Sequence, residues 1–334
     1  MSALNRQVLS KGLPPKIGTP KRLPPNRDLS PLEWSEFFDE KKCVRVGEDS
    51  FNVYLKGSAG PIFLVLHGGG YTGLTWACFS EDLSKRIDCR IIAPDLRGHG
   101  ETQTADDANL SAQQQISDIE EIVKQTIAQN ENSPVCLIGH SMGGALAVRV
   151  AERGNVPNLV GLVVIDVVEG SAMEALSGMI TFLRSRPTTF PTTEKAIVWC
   201  LQSGTAKNYR AARVSMPSQI RHSQEGSGMT WRIDLTQTQP HWRGWFEGLS
   251  SLFLSVSAPK LLVLAGVDRL DKDLTVGQMQ GKFQTCVVPQ VGHCVQEDSP
   301  DRLADEVAKF AIRHKFAVHK PDWIDPIIGV PPCC

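Results

Sequence analysis

The sequence predicts an α/β protein: a mostly parallel central sheet, helices on both faces, and a helical lid inserted over one end. Three observations predict it. Short apolar runs recur without polar alternation, as strands buried on both faces require. Segments of helical period separate most of those runs. One long stretch, 167–250, breaks the rhythm and contains no run that reads as a buried strand. Alternating strand and helix favours a parallel sheet, because each helix carries the chain back across a face.

In chain order, residues 1–31 carry Pro14, Pro15, Pro20, Pro24, Pro25 and Pro31 among basic and polar residues. Proline opposes both helix and central strand, so this stretch is expected to be an extended or disordered lead-in. Strands are expected at 51–55, 62–66, 90–93, 135–138, 159–165, 261–264 and 286–288. In 111–129, Ile116, Ile119, Val123 and Ile127 share one helical face, with Ser111 placed as N-cap. In 300–314, Leu303, Val307, Phe310 and Ala311 form another such face, entered through Pro300. The insertion 167–250 holds Trp199, Trp231, Trp242 and Trp245, which either wall a substrate groove or pack the lid's own core. Its polar stretch HSQEGSGM, 222–229, is expected to be a mobile loop. The domain is expected to span 32–316, with 317–334 a flexible tail ending in Cys333 and Cys334.

With 334 residues, 41% of them hydrophobic, the chain can bury one large core. Its 36 acidic and 35 basic residues nearly cancel, and no basic track suggests nucleic acid. No apolar run approaches the roughly 18 residues of a membrane span, and the N-terminal residues lack a signal-peptide core. Nine scattered cysteines without a C-x-x-C pair argue against a disulfide framework or zinc site. They fit a reducing compartment, the cytosol or nucleus. The terminal cysteine pair lacks the spacing of a prenylation signal.

The chemistry is concentrated at LIGHSMGGAL, 137–146. An apolar run ends at Gly139, and His140, Ser141, Met142 and Gly143 complete G-x-S-x-G. A serine hydroxyl needs a base and an unobstructed approach to act as a nucleophile. Glycines two residues either side permit a sharp strand-to-helix turn with the serine at its tip. The backbone N–H of Met142 is then placed to hold an oxyanion, aided by the helix N-terminus. Upstream, FLVLHGGG sets His67 and Gly68–Gly70 after a strand, a second source of oxyanion donors. Gly69 is the choice, with Gly68 and Gly70 open. In DLRGHG, 95–100, Arg97 and His99 read as loop scaffolding.

The order Ser, acid, His asks for a late histidine, and His293 in VVPQVGHCVQED is the one in place. His222, His241 and His314 suit surface roles, and Cys294 lacks the glycine-framed turn of a nucleophile. Two places can supply the acid: Asp166, closing LVVID, and Asp268 or Asp271, in LAGVDRLDKD. Spacing does not choose between them. No metal or organic cofactor is expected.

The motifs LHGGG, DLRGHGET, LIGHSMGGA, IDVVEGSAMEAL, TWRIDL and LAGVDRLDKDLTVGQMQGKFQ together resemble the protein phosphatase methylesterases, over roughly residues 28–316. The resemblance implies an α/β-hydrolase fold. It implies an esterase that removes the methyl ester from the carboxy-terminal leucine of the type 2A protein phosphatase catalytic subunit, with methanol released. It also implies Asp166 as the acid, beside Ser141 and His293. The chain departs from the family in having only HSQEGSGM where a longer charged insertion is common. Two alternatives remain at this level: a serine esterase or thioesterase of small esters, and a phosphatase-binding inhibitor with secondary hydrolysis.

Overall fold

A computed structural model of the chain describes residues 28–127, 132–224, 226–266 and 270–323. The strands are β1 (Glu40–Val46), β2 (Asp49–Lys56), β3 (Ile62–Leu66), β4 (Arg90–Pro94), β5 (Val135–His140), β6 (Leu159–Ile165), β7 (Thr189–Phe190), β8 (Ile220–His222), β9 (Met229–Trp231), β10 (Lys260–Leu264) and β11 (Gln284–Val287). The helices are α1 (Ala77–Arg86), α2 (Ala112–Thr126), α3 (Met142–Arg153), α4 (Glu169–Arg184), α5 (Thr193–Ser203), α6 (Tyr209–Ser218), α7 (Gln239–Phe246), α8 (Leu249–Ser255), α9 (Lys272–Met279), α10 (Val295–Asp298) and α11 (Pro300–Arg313). Eight strands form the main sheet in the order β1-β2-β4-β3-β5-β6-β10-β11. The β1–β2 and β2–β4 pairs are antiparallel, and the rest are parallel.

The core follows from strand alternation. Ile62, Leu64 and Leu66 of β3 join an apolar cluster with Leu137, Leu162, Val164 and the inner faces of α2 and α3. Phe63 and Val65 point the other way, into a second cluster with Ile138, Val163, Ile165, α1 and α11. Successive side chains of a strand face opposite sides, so a continuous apolar run feeds both clusters at once. Ser111 caps α2 by accepting from Gln114 N at 3.3 Å.

All seven expected strands lie within or across observed ones, but β1 was not expected. Its sequence, EKKCVRV, buries only Val44, because it is an edge strand with little apolar signal. The insertion between β6 and β10 also corrects the reading. Besides helices it carries a three-stranded antiparallel sheet, β7-β9-β8. Strands of two or three residues are too short to display a period of two. The stretch 222–229 connects β8 to β9 as a hairpin, with Ser223 N donating to Gly228 O at 3.0 Å.

Of the expected lead-in, residues 1–27 lie outside the described residues. Residues 28–31 lie against α6: Arg213 donates to Ser30 O at 2.7 Å and pairs with Asp28 at 2.8 Å. Of the expected tail, 324–334, with Cys333 and Cys334, lie outside the described residues. Its beginning is pinned: Lys320 N donates to Arg86 O at 2.7 Å, and Trp323 packs on the second cluster. Among the described residues, no helix is long and apolar enough to cross a membrane.

Candidate active site

Ser141 sits between β5 and α3 with φ 51° and ψ −119°, a conformation rare for a residue with a Cβ. Close packing holds it there. A Cβ on Gly139 would lie 2.2 Å from Gly143 O, and one on Gly143 would lie 2.4 Å from Leu66 O. Only glycine lets β5, the start of α3 and the end of β3 meet so tightly. Ser141 N donates to Ile165 O at 3.1 Å, tying the turn to β6.

Asp166 follows β6, also at positive φ, 51°. Its side chain is fully buried; Oδ1 accepts Ala265 N at 2.9 Å, and Oδ2 accepts His293 Nδ1–H at 2.8 Å. That bond leaves His293 Nε2 with a free lone pair. The His293 side chain is 35% exposed, and it lines the same cavity as Ser141. No hydrogen bond joins the Ser141 hydroxyl to His293 Nε2 among the described residues. Asp271 is engaged elsewhere: it caps α9 through Leu274 N at 3.0 Å and accepts Ser250 Oγ at 2.6 Å. Asp268 lies outside the described residues.

The 68–70 loop is buttressed by two buried histidines. His67 donates from Nδ1 to Gly68 O at 2.8 Å and accepts Leu96 N at Nε2, 2.9 Å. His99 donates from Nδ1 to Arg97 O at 2.8 Å and accepts Gly70 N at Nε2, 2.9 Å. The Gly70 N–H is therefore committed. Gly69 and Met142 both line the cavity beside Ser141. Arg97 is itself held by Asp118 and Asp49, each at 2.7 Å.

His140 was passed over in the sequence as the variable residue of the motif. It is fully buried, and its Nε2–H donates to the backbone carbonyl of His293 at 2.9 Å. Nδ1 has no hydrogen-bond partner among the described residues. Burial, with the neighbouring His293 ring, pushes its pKa down to about 3, so it is neutral at ordinary pH. Cys294, next to His293, donates to Tyr71 Oη at 2.6 Å; burial holds its thiol well above the usual range and makes it a poor nucleophile. His222 is exposed on β8, and His314 Nε2 contacts Gln284 Nε2 at 2.9 Å, both away from the cavity.

The cavity has a volume of about 150 Å³. Its floor is Ser141, Met142, Gly69 and His293, and its walls come from the insertion. All four insertion tryptophans line it, yet Trp242 and Trp245 also pack on the main core. Trp199 and Trp231 pack instead on a third apolar cluster, built largely within the insertion around Phe190, Ile197 and Met229. Trp245 Nε1 is fixed by Leu110 O at 2.7 Å and Trp242 Nε1 by Thr238 Oγ1 at 2.6 Å.

A serine at a strained strand–helix turn, a late His–Asp pair and this sheet order define an α/β-hydrolase; a family model described as "Alpha/beta hydrolase family" matches residues 63–306. The chain is similar to a crystal structure of E-2-(acetamidomethylene)succinate hydrolase, with a TM-score of 0.67 at 22% identity, covering 82% of this chain and 99% of that one. At that identity the likeness shows the fold. It is 60% identical to a probable protein phosphatase methylesterase 1 of Caenorhabditis elegans, covering 95% of this chain and 87% of the relative. It is 46% identical to protein phosphatase methylesterase 1 of Homo sapiens, covering 90% of each. The chain belongs to the protein phosphatase methylesterase 1 family, and it is an ester hydrolase.

Proposed function

We propose that this chain demethylates the carboxy-terminal leucine methyl ester of the type 2A protein phosphatase catalytic subunit, with Ser141 as nucleophile, His293 as base and Asp166 as its orienting acid. The observation that carries this reading is the 2.8 Å His293–Asp166 bond, with His293 lining the same cavity as a serine held at φ 51°. Ser141 Oγ attacks the ester carbonyl as His293 Nε2 takes its proton. Asp166 stabilises the imidazolium and holds the tautomer. The N–H groups of Met142 and Gly69 receive the oxyanion. Gly69 is favoured because it lines the cavity while the Gly70 N–H is bound to His99. His293 then protonates methoxide, methanol leaves, and water activated by the same ring frees the carboxylate.

The segment 167–250 acts as a lid in this reading, since it supplies most of the residues that line the cavity beside Ser141. The seven described cysteines are all free thiols, which supports a cytosolic or nuclear setting. Incubation with methylated phosphatase, followed by mass measurement of its terminal peptide, tests the reading. Loss of one methylene mass with the wild type and none with Ser141→Ala is expected. Intact methylation after wild-type treatment rejects it, and hydrolysis restricted to small esters favours the small-ester alternative.

A further inference from the structure

The cavity walls are mostly aromatic and aliphatic, with Thr205, Gln219 and Thr238 as uncharged polar residues among them. Among the described residues, Arg186, just past the end of α4, is the only Arg, Lys, Asp or Glu side chain lining the cavity. Its guanidinium carbon stands 3.7 Å from the centroid of the Trp231 ring. That ring is a fixed platform. Its Nε1 donates to Pro187 O at 2.7 Å, and its faces and edges meet Trp199 at 5.6 Å and Phe190 at 5.5 Å.

The guanidinium forms no ion pair and no hydrogen bond among the described residues. The acid it senses, Asp234, is exposed and already accepts from Thr236 N at 2.9 Å and Thr236 Oγ1 at 2.7 Å. Burial lowers the Arg186 pKa to about 10, so the charge persists at neutral pH. Stacking on an aromatic face stabilises the cation but satisfies none of its five N–H donors, which lie in the guanidinium plane. A partly buried cation with open donors favours an ionised acceptor, which it binds in a two-pronged fork.

We propose that Arg186 and its Trp231 platform form a carboxylate subsite, recognising a carboxylate on the acyl side of the ester. The proposal rests on the esterase reading above and deepens it. The carboxylate has two sources. One is an acidic side chain shortly before the esterified leucine. The other is the α-carboxylate that hydrolysis creates. The first makes Arg186 a determinant of substrate choice; the second makes it a retainer of product.

Peptide methyl esters ending in leucine test the first source, with Asp or Asn placed one to four residues before it. Wild-type kcat/KM is expected to favour an Asp peptide over its Asn counterpart by about tenfold at one of those positions. Arg186→Gln is expected to bring that ratio close to one, and Arg186→Lys to keep part of it, because the charge remains while the fork is lost. The second source is tested with the free-acid Asn peptide as inhibitor. Inhibition about tenfold weaker in Arg186→Gln than in wild type assigns the product carboxylate. If wild type hydrolyses Asp and Asn esters at equal rates at every position, and the free acid inhibits both proteins equally, the subsite is overturned while the esterase reading stands. If wild type hydrolyses none of the peptide esters, the esterase reading falls and the subsite with it. The wild-type ratio alone decides the first source even if a variant fails to fold.

Discussion

At the scale of single residues, the site depends on hydrogen bonds that fix direction rather than on groups of unusual reactivity. Asp166 is held by Ala265 N and in turn fixes the His293 tautomer, so Asp166→Asn leaves the geometry and removes the charge. Turnover is expected to fall by about 10⁴-fold in steady-state esterase assays, as when a triad acid loses its charge. Ser141→Ala is expected to abolish methyl-ester hydrolysis with an unchanged melting temperature; retained activity would remove Ser141 as nucleophile. His140 acts through His293, whose carbonyl it holds at 2.9 Å. His140→Ala is expected to lower kcat by about 10–100-fold with little change in KM, because the base loses its anchor. His140→Gln, which can place an amide N–H near the lost Nε2–H, is expected to recover part of that loss. An Ala variant with wild-type kcat and pH profile would show that the contact is only structural.

At the scale of elements, the nucleophile turn is three segments packed too closely for any Cβ. Gly143 lies against Leu66 O and His67 O, so Gly143→Ala must push α3 away from the end of β3. A loss of about 1–3 kcal/mol in stability is expected from urea unfolding, with a larger loss of activity because the 68–70 loop moves as well. The G-x-S-x-G and HGGG signals were legible in the sequence because glycine is demanded locally, by the turns themselves. The residue pattern left the choice of acid open, and only the family resemblance pointed to Asp166. Asp166 and Asp271 follow adjacent strands, and only the packing sends one to His293 and the other to cap α9. The commitment of the Gly70 N–H was invisible, since its acceptor His99 comes from another loop.

At the scale of the molecule, three buried neutral histidines set the acid limit of stability. Burial lowers His67 well below its ordinary value, His99 to about 4 and His140 to about 3. The unfolded chain takes up these protons below about pH 6.5 while the folded chain refuses them, so stability falls as pH falls. Glu297 works in the opposite sense. Burial raises its pKa to about 7, so the folded chain keeps a proton that the unfolded chain loses above about 4.5. Between pH 6.5 and 4.5 the net uptake on unfolding approaches two protons, a slope of about 2.7 kcal/mol per pH unit. Urea unfolding at pH 6.5 and 5.5 is expected to show this fall. Glu297→Gln removes the opposing proton and is expected to steepen the slope towards about 4 kcal/mol per pH unit. A stability that is flat across this range would contradict the burial of the three rings.

The sequence by itself determined the layered α/β class, the central strands, the nucleophile turn and the late histidine. These signals are local: apolar runs mark strands buried on both faces, and glycines mark turns that allow no side chain. It also carried, in motifs spread along the chain, its membership of a family. The tertiary structure decided that Asp166 and not Asp271 meets His293, that the Gly70 N–H is bound to His99, and that β1 forms an edge of the sheet. It also showed that the insertion tryptophans and Arg186 line one cavity with Ser141. Each depends on contacts between segments far apart in the chain, and no local pattern of residue types records which of several equivalent groups the folded backbone brings within a hydrogen bond.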